Sequence, residues 1–170
     1  SQTDSIPGKG WDAALPRICT WGRFQIIENG KYFWFFNLHM DHLGKVARLE
    51  GTKLVLVKIK TMTGNEPVIL TGDFNYDQRA EGYKIISQSG LLKDTYEIAE
   101  LRYALNGTFN NFNPQQKTDS RIDHVFVSNE FRVIRYGLLT DIYWTRSEQG
   151  GYIVRIPSDH YPVKVEVSFN

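Results

Sequence analysis

Pro67-Val68-Ile69-Leu70-Thr71-Gly72-Asp73-Phe74-Asn75 is the stretch from which the rest of the chain can be read. Val68, Ile69 and Leu70 make a short continuous apolar run, as expected of a central strand buried on both faces. The run stops abruptly at Gly72-Asp73-Phe74-Asn75, where a glycine, a carboxylate and a carboxamide stand within one turn's length. Asp and Asn make local backbone hydrogen bonds, so a strand-ending turn is one ordinary reading. Polar groups at the end of a buried strand are also how α/β proteins build their sites.

Strand signals continue on either side. Arg23–Glu28 and Tyr32–Leu38 read as two strands joined at Asn29-Gly30, a strong hairpin signal. His42–Lys60 reads as a helix, with Leu43, Val46, Leu49, Leu54 and Val57 on one face and Lys45, Arg48, Lys53, Lys58 and Lys60 on the other. A short helix is expected around Gln78–Ser87, and irregular structure over Leu91–Asn113. Arg121–Ser128 and Phe131–Leu139 read as strands, Glu148–Gly151 as a turn, and Tyr161–Phe169 alternates strictly between apolar and polar. Ser1–Arg17 reads as a loop or arm. The pattern is α/β: a mixed sheet with covering helices, in which β structure dominates.

Three further polar clusters lie where strands begin or end. Asn37-Leu38-His39-Met40-Asp41-His42 closes the second strand, Arg121-Ile122-Asp123-His124 opens the strand at 121, and Ser158-Asp159-His160-Tyr161-Pro162 opens the last. Singly, each has a structural explanation: a surface histidine, a helix cap at Asp41, a strand-edge carboxylate at Asp123, an N-cap or loop at Ser158. Jointly, four such clusters at four strand ends can converge on one rim of a sheet.

In that order and at those positions, the four clusters resemble the motifs of the endonuclease/exonuclease/phosphatase superfamily. The superfamily includes DNase I-like nucleases, abasic-site endonucleases, inositol polyphosphate 5-phosphatases and sphingomyelinases. Gly72-Asp73-Phe74-Asn75 matches its most recognisable motif whole, and Gly10-Trp11-Asp12 with Pro16-Arg17 is similar to one bacterial branch. The resemblance spans nearly the whole chain. It implies part of a four-layer α/β/β/α sandwich, with residues 1–170 as a single partial domain. The family's strands carrying an N-terminal Asn and a Gln-Glu pair have no counterpart, since no Gln-Glu pair occurs here. Leu38 stands where the family usually has Thr.

The resemblance also implies roles. Asp73 would orient or deprotonate the attacking water and bind metal, Asn75 would donate to a phosphoryl oxygen, and Asp159 would be a metal-proximal carboxylate. His160 would act as general base or phosphate ligand, with Asp123 holding its other ring nitrogen, and His39 would contact the scissile phosphate. Arg17 and Asn37 are weaker candidates for phosphate contact. The implied activity is metal-dependent phosphoester hydrolysis using Mg²⁺ or Mn²⁺, a hard-cation chemistry suited to carboxylate oxygens. The alternative is a non-catalytic fragment that keeps the fold and part of the site. The substrate class stays open between nucleic acid, nucleotide and phospholipid headgroup. A lone C-terminal portion is expected to present one sheet with an uncovered apolar face, to be covered by an N-terminal half or by self-association.

Composition sets the outer bounds. A chain of 170 residues, 41% hydrophobic and 23% charged, is one ordinary folded domain. With 20 Lys and Arg against 19 Asp and Glu, the net charge is +1, so no global field advertises a polyanionic partner. Cys19 is the single cysteine, which excludes an intramolecular disulfide and a multi-cysteine zinc site. No run reaches the roughly 18 apolar residues of a transmembrane helix. The compartment stays open: cytosolic, secreted and periplasmic settings are all compatible.

Overall fold

The computed structural model describes residues 8–170, so the first seven residues of the expected arm lie outside the described part. Residues 8–17 form an irregular loop. It is followed by β1 (Ile18–Gln25), β2 (Tyr32–His39), α1 (Lys45–Thr63), β3 (Val68–Asp73), α2 (Glu81–Ser87), β4 (Lys93–Asp94) and α3 (Thr95–Ile98). Then come β5 (Leu101–Tyr103), β6 (Asp123–Val127), β7 (Phe131–Leu138), β8 (Tyr143–Arg146), β9 (Tyr152–Arg155) and β10 (Val163–Phe169). No helix is long and apolar enough to cross a membrane among the described residues.

Two sheets face each other. The first has the order β1-β2-β3-β6-β4, with β2 and β3 parallel and the other pairs antiparallel. The second is β10-β7-β5, and β8-β9 pair only as a separate hairpin. On the outer face of the first sheet, Phe36, Leu38, Leu70 and Phe126 pack with Leu56 and Ile59 of α1 and Ile86 of α2. On its inner face, Phe33, Ile69 and Val127 pack against Val133, Val165, Val167 and Phe169 of the second sheet. Central β3 is thus covered on both sides, as its unbroken apolar run requires.

Expectation and structure differ in several places, each for a physical reason. The first strand runs over Ile18–Gln25 rather than Arg23–Glu28, because residues 26–31 are spent on a loop closed by Ile26 and Gly30. Helix α1 starts at Lys45, and its buried face is Ala47, Thr52, Leu56, Ile59 and Thr63, while Leu43, Val46, Leu54 and Val57 face outward. Small and hydroxylated side chains let the helix approach the sheet: the Thr52 hydroxyl lies 2.9 Å from the Tyr76 hydroxyl and also donates to the Arg48 carbonyl. Within the stretch expected to be irregular, β4, α3 and β5 form. Finally, the chain carries strands of two sheets rather than one. The inner face of the first sheet is covered at β3 and β6, yet stays open at β1, where Ile18 and Phe24 are 68% and 50% exposed.

Candidate active site

Register alone assembles most of the site. His39 pairs with Asp73 across the parallel β2–β3 ladder, and Asp73 pairs with Asp123 across the antiparallel β3–β6 ladder. Directly paired residues project their side chains to the same side of a sheet. His39, Asp73 and Asp123 therefore form a transverse row on the inner face, at the end where β2 and β3 finish and β6 begins. Gly72 makes the row possible. It has φ +148°, and a Cβ there would lie 2.0 Å from the Leu38 carbonyl oxygen, so only glycine lets β3 approach β2 this closely.

The Asp73 carboxylate accepts from the Asn75 backbone N–H (2.8 Å) and side-chain amide (3.3 Å), and lies 3.4 Å from Nε2 of His39. Asn75 takes a left-handed backbone conformation (φ 52°), and its amide also donates to the Met40 carbonyl. That amide therefore ties the two strand ends together. His160 arrives from the loop before β10, and its Nδ1 sits 2.8 Å from Oδ2 of Asp123. One donor atom each from Asp73, Asp123 and His160 lie within 4.8 Å of one another.

Electrostatics follows from this crowding. Burial, reinforced by the facing Asp123 charge, raises the Asp73 pKa above its usual value, against opposing contributions from the Asn75 N–H and the two histidines. The hydrogen bond to Asp123 is the main cause raising the His160 pKa, with the Asp123, Asp73 and Asp159 charges adding to it. With Nδ1 donating to Asp123, Nε2 is the nitrogen left free to carry or take a proton. A half-buried pair of carboxylates beside an imidazole also suits a hard divalent cation, whose charge would offset the burial and the facing Asp123 charge that raise the Asp73 pKa. The donor set fits Mg²⁺ or Mn²⁺, completed by water or further oxygens.

The other expected residues lie differently. The Asp159 carboxylate accepts only a long contact from the Ser158 hydroxyl (3.4 Å) and stays outside the three-residue group. Asn37 lies on the row's face of β2, where its side-chain Oδ1 accepts from the Thr71 hydroxyl (2.9 Å). Arg17 is engaged by Nδ1 of His42 (2.8 Å) and by Asp41 (3.4 Å). Asp41 in turn holds the loop over residues 8–17 through the Leu15 N–H and caps the approach to α1 through Leu43 and Gly44. The Gly44 N–H is the main cause keeping the Asp41 carboxyl well below the ordinary carboxylate range.

Sequence reasoning missed the segment that holds the site together. The fully buried Thr108 hydroxyl accepts from the backbone N–H groups of Ile122 and Asp123 (2.9 and 3.1 Å). Its carbonyl accepts from Tyr161 N–H (2.7 Å), while the Asn110 N–H donates to the Asp159 carbonyl (2.8 Å). The Phe109 ring stands edge-on to His160 at 5.2 Å between centroids. The one available signal was Gly107, where a Cβ would strike the Ser120 carbonyl at 2.1 Å.

Comparison with known proteins identifies the family. Residues 20–160 match the model of the endonuclease/exonuclease/phosphatase family. A Bacteroides thetaiotaomicron protein of that family is 55% identical with a TM-score of 0.96, covering 100% of this chain and 62% of its own. A mannosyl-6-phosphatase of B. thetaiotaomicron VPI-5482 is 56% identical with a TM-score of 0.94, covering 99% of this chain and 63% of its own. An uncharacterized protein of Acanthamoeba polyphaga mimivirus is 28% identical over 138 residues, 74% of this chain and 49% of that protein. The chain thus spans about half to two thirds of these relatives' lengths. The His39–Asp73–Asp123 row, the Asp123–His160 pair and the intact Gly72–Asn75 turn lie within the matched residues, and the chain belongs to the endonuclease/exonuclease/phosphatase family.

Proposed function

We propose that this chain carries the phosphate-handling part of a divalent-metal-dependent phosphoesterase, acting on the phosphomonoester of a sugar. The observation that carries the reading is the 2.8 Å contact between His160 Nδ1 and Asp123, with Asp73 inside the same 4.8 Å group. The sugar follows from the 56% identity to a protein described as a mannosyl-6-phosphatase. Asp123 fixes the His160 tautomer and strengthens its grip on a proton at Nε2. From there His160 either takes the proton of the incoming water or, protonated, faces a phosphoryl oxygen. Asp73 orients the water and, with Asp123, supplies hard oxygen ligands, and Asn75 holds the Asp73 carboxylate in place. His39, beside Asp73 and more than half exposed, is placed to meet the phosphate. When bound, Mg²⁺ or Mn²⁺ supplies charge stabilisation at the phosphoryl oxygens and acidifies water.

A second reading, a fragment inactive by itself, is favoured by the open face at Ile18 and Phe24 and by the greater length of the relatives. One experiment addresses both. Hydrolysis of mannose 6-phosphate and p-nitrophenyl phosphate is followed while Mg²⁺ or Mn²⁺ is titrated into this chain and into the complete natural protein. The phosphoesterase reading expects cation-dependent turnover that His160→Ala and Asp73→Ala each reduce by at least about 10²-fold. Turnover in the complete protein alone supports the fragment reading of this chain, and cation-independent or variant-insensitive turnover overturns the proposed site.

A further inference from the structure

The hairpin of β8 and β9 belongs to neither sheet, and its location gives it a use. Its two legs leave β7 at Leu138 and return at Ile156, immediately before Ser158-Asp159-His160. At its root a cavity of about 110 Å³ is walled by Leu139 and Asp141 on one leg and Ile156 and Pro157 on the other, with His160 closing it. The root of the hairpin therefore adjoins His160 of the candidate site. Its register pairs Trp144 with Val154 and Arg146 with Tyr152, which sets Trp144, Arg146 and Tyr152 on one face. Trp144 is 61% and Tyr152 67% exposed, and Arg146 has no carboxylate partner among the described residues.

A two-stranded hairpin with bare aromatic faces is marginal on its own, and exposed Trp and Tyr beside an unpaired guanidinium are matched to a ligand with apolar faces and polar edges. Carbohydrate has that chemistry. A membrane is the poorer match, because the tip is Ser147-Glu148-Gln149-Gly150-Gly151, polar and carrying a carboxylate where an inserting element would lead with apolar side chains. Four-residue strands extend about 13 Å, so a hairpin rooted beside His160 is long enough to reach past a phosphate held there.

We infer that the β8–β9 hairpin is the carbohydrate-docking arm of the site, with Trp144 and Tyr152 as platforms and Arg146 as a donor to sugar oxygens. This rests on the phosphosugar reading above and adds that the preferred substrate is an oligosaccharide carrying the phosphate. Steady-state kinetics of the complete natural protein would compare a 6-phosphorylated oligomannoside with p-nitrophenyl phosphate, for wild type, Trp144→Ala, Trp144→Phe and Arg146→Gln. The expected result is a KM for the oligosaccharide raised roughly five- to tenfold in Trp144→Ala, largely recovered in Trp144→Phe, with kcat and all p-nitrophenyl phosphate constants unchanged. Circular dichroism of each variant reports folding, and Arg146→Gln, which removes no apolar surface, should raise the same KM. Unchanged constants for the oligosaccharide overturn the docking arm and leave the phosphosugar reading standing. Equal losses on both substrates overturn it in favour of a structural contact. Binding to phosphatidylcholine–phosphatidylglycerol vesicles that Trp144→Ala abolishes overturns it in favour of a lipid surface. A wild type that turns over p-nitrophenyl phosphate but no phosphosugar removes the reading itself, and the docking arm with it.

Discussion

Asp73 holds a charge that its surroundings resist, since burial and the facing Asp123 both raise its pKa. A carboxylate with a raised folded pKa contributes most to stability while protonated, and that contribution is lost as pH rises through the folded value. At neutral pH, Asp73→Asn removes the conflict while its side-chain oxygen can still accept from Asn75 N–H. The variant should therefore melt about 2–4 °C above wild type in chelator at neutral pH while losing hydrolysis. Thermal scans with and without Mg²⁺ check it: the cation should raise the melting temperature of wild type and leave Asp73→Asn nearly unmoved. His160 gives the complementary case. Its raised pKa means that the Asp123 pairing stabilises fully below the unfolded value near 6.5 and fades as pH climbs through the folded value. The stability gap between wild type and Asp123→Asn should accordingly be widest at acidic pH and narrow above neutrality, and a gap that widens with pH would contradict the assigned pairing. At this scale the sequence was most informative: Asp73 ends a strand, Asp123 opens one and His160 lies just before another, where a polar residue beside an apolar run stands out. Thr108 and Asn110 were silent because their partners are backbone groups, which no residue type advertises, in a segment with no periodicity.

Elements were legible where one face is buried and ambiguous where two faces compete. β3 announced itself by its apolar run. Helix α1 offers two apolar stripes, and the one with the larger residues stays outside because Ala47 and Thr52 fit closer to the sheet. β8 and β9 went unread because exposure on both faces leaves no period of two. In β7, one extra residue at Ile134 interrupts the pairing with β10, so burial shifts from Phe131 and Val133 to Tyr136 and Leu138. The 107–111 segment acts as a splice between β6 and the loop before β10, and Thr108 is its pivot. Thr108→Val keeps the volume and leaves two partly buried N–H groups without their acceptor, which should cost about 1–2 kcal/mol by chemical denaturation. Because the Asp123 backbone then loses an anchor, the His160 pKa read by proton NMR should fall toward its ordinary value. Loss of stability with an unmoved His160 would assign Thr108 to packing alone.

Across the two sheets, a shared core lies under β3 and β6, but the inner face of β1 is left largely exposed among the described residues. Ile18 and Phe24 lie on that face, with Thr20 and Gly22 between them, and Phe24 stacks on the half-buried Phe33 at 5.7 Å. The open face is continuous with the row that starts at His39, because Ile18 pairs with His39. Whatever covers Ile18 therefore also forms a wall of the candidate site. Contiguous apolar surface of this kind is rarely left bare in soluble monomers, so the 170-residue chain in isolation should associate through it. Sedimentation velocity should show concentration-dependent dimers or larger species for wild type and a monomer for the double variant Ile18→Asp, Phe24→Asp. Under the proposed phosphoesterase reading, the same variant should also lower hydrolysis in any form of the protein in which this face is covered, without touching His39, Asp73 or His160. A wild-type chain that stays monomeric at every concentration would show that the face tolerates water, and the site would then have to be complete with the residues of β2, β3, β6 and the His160 loop.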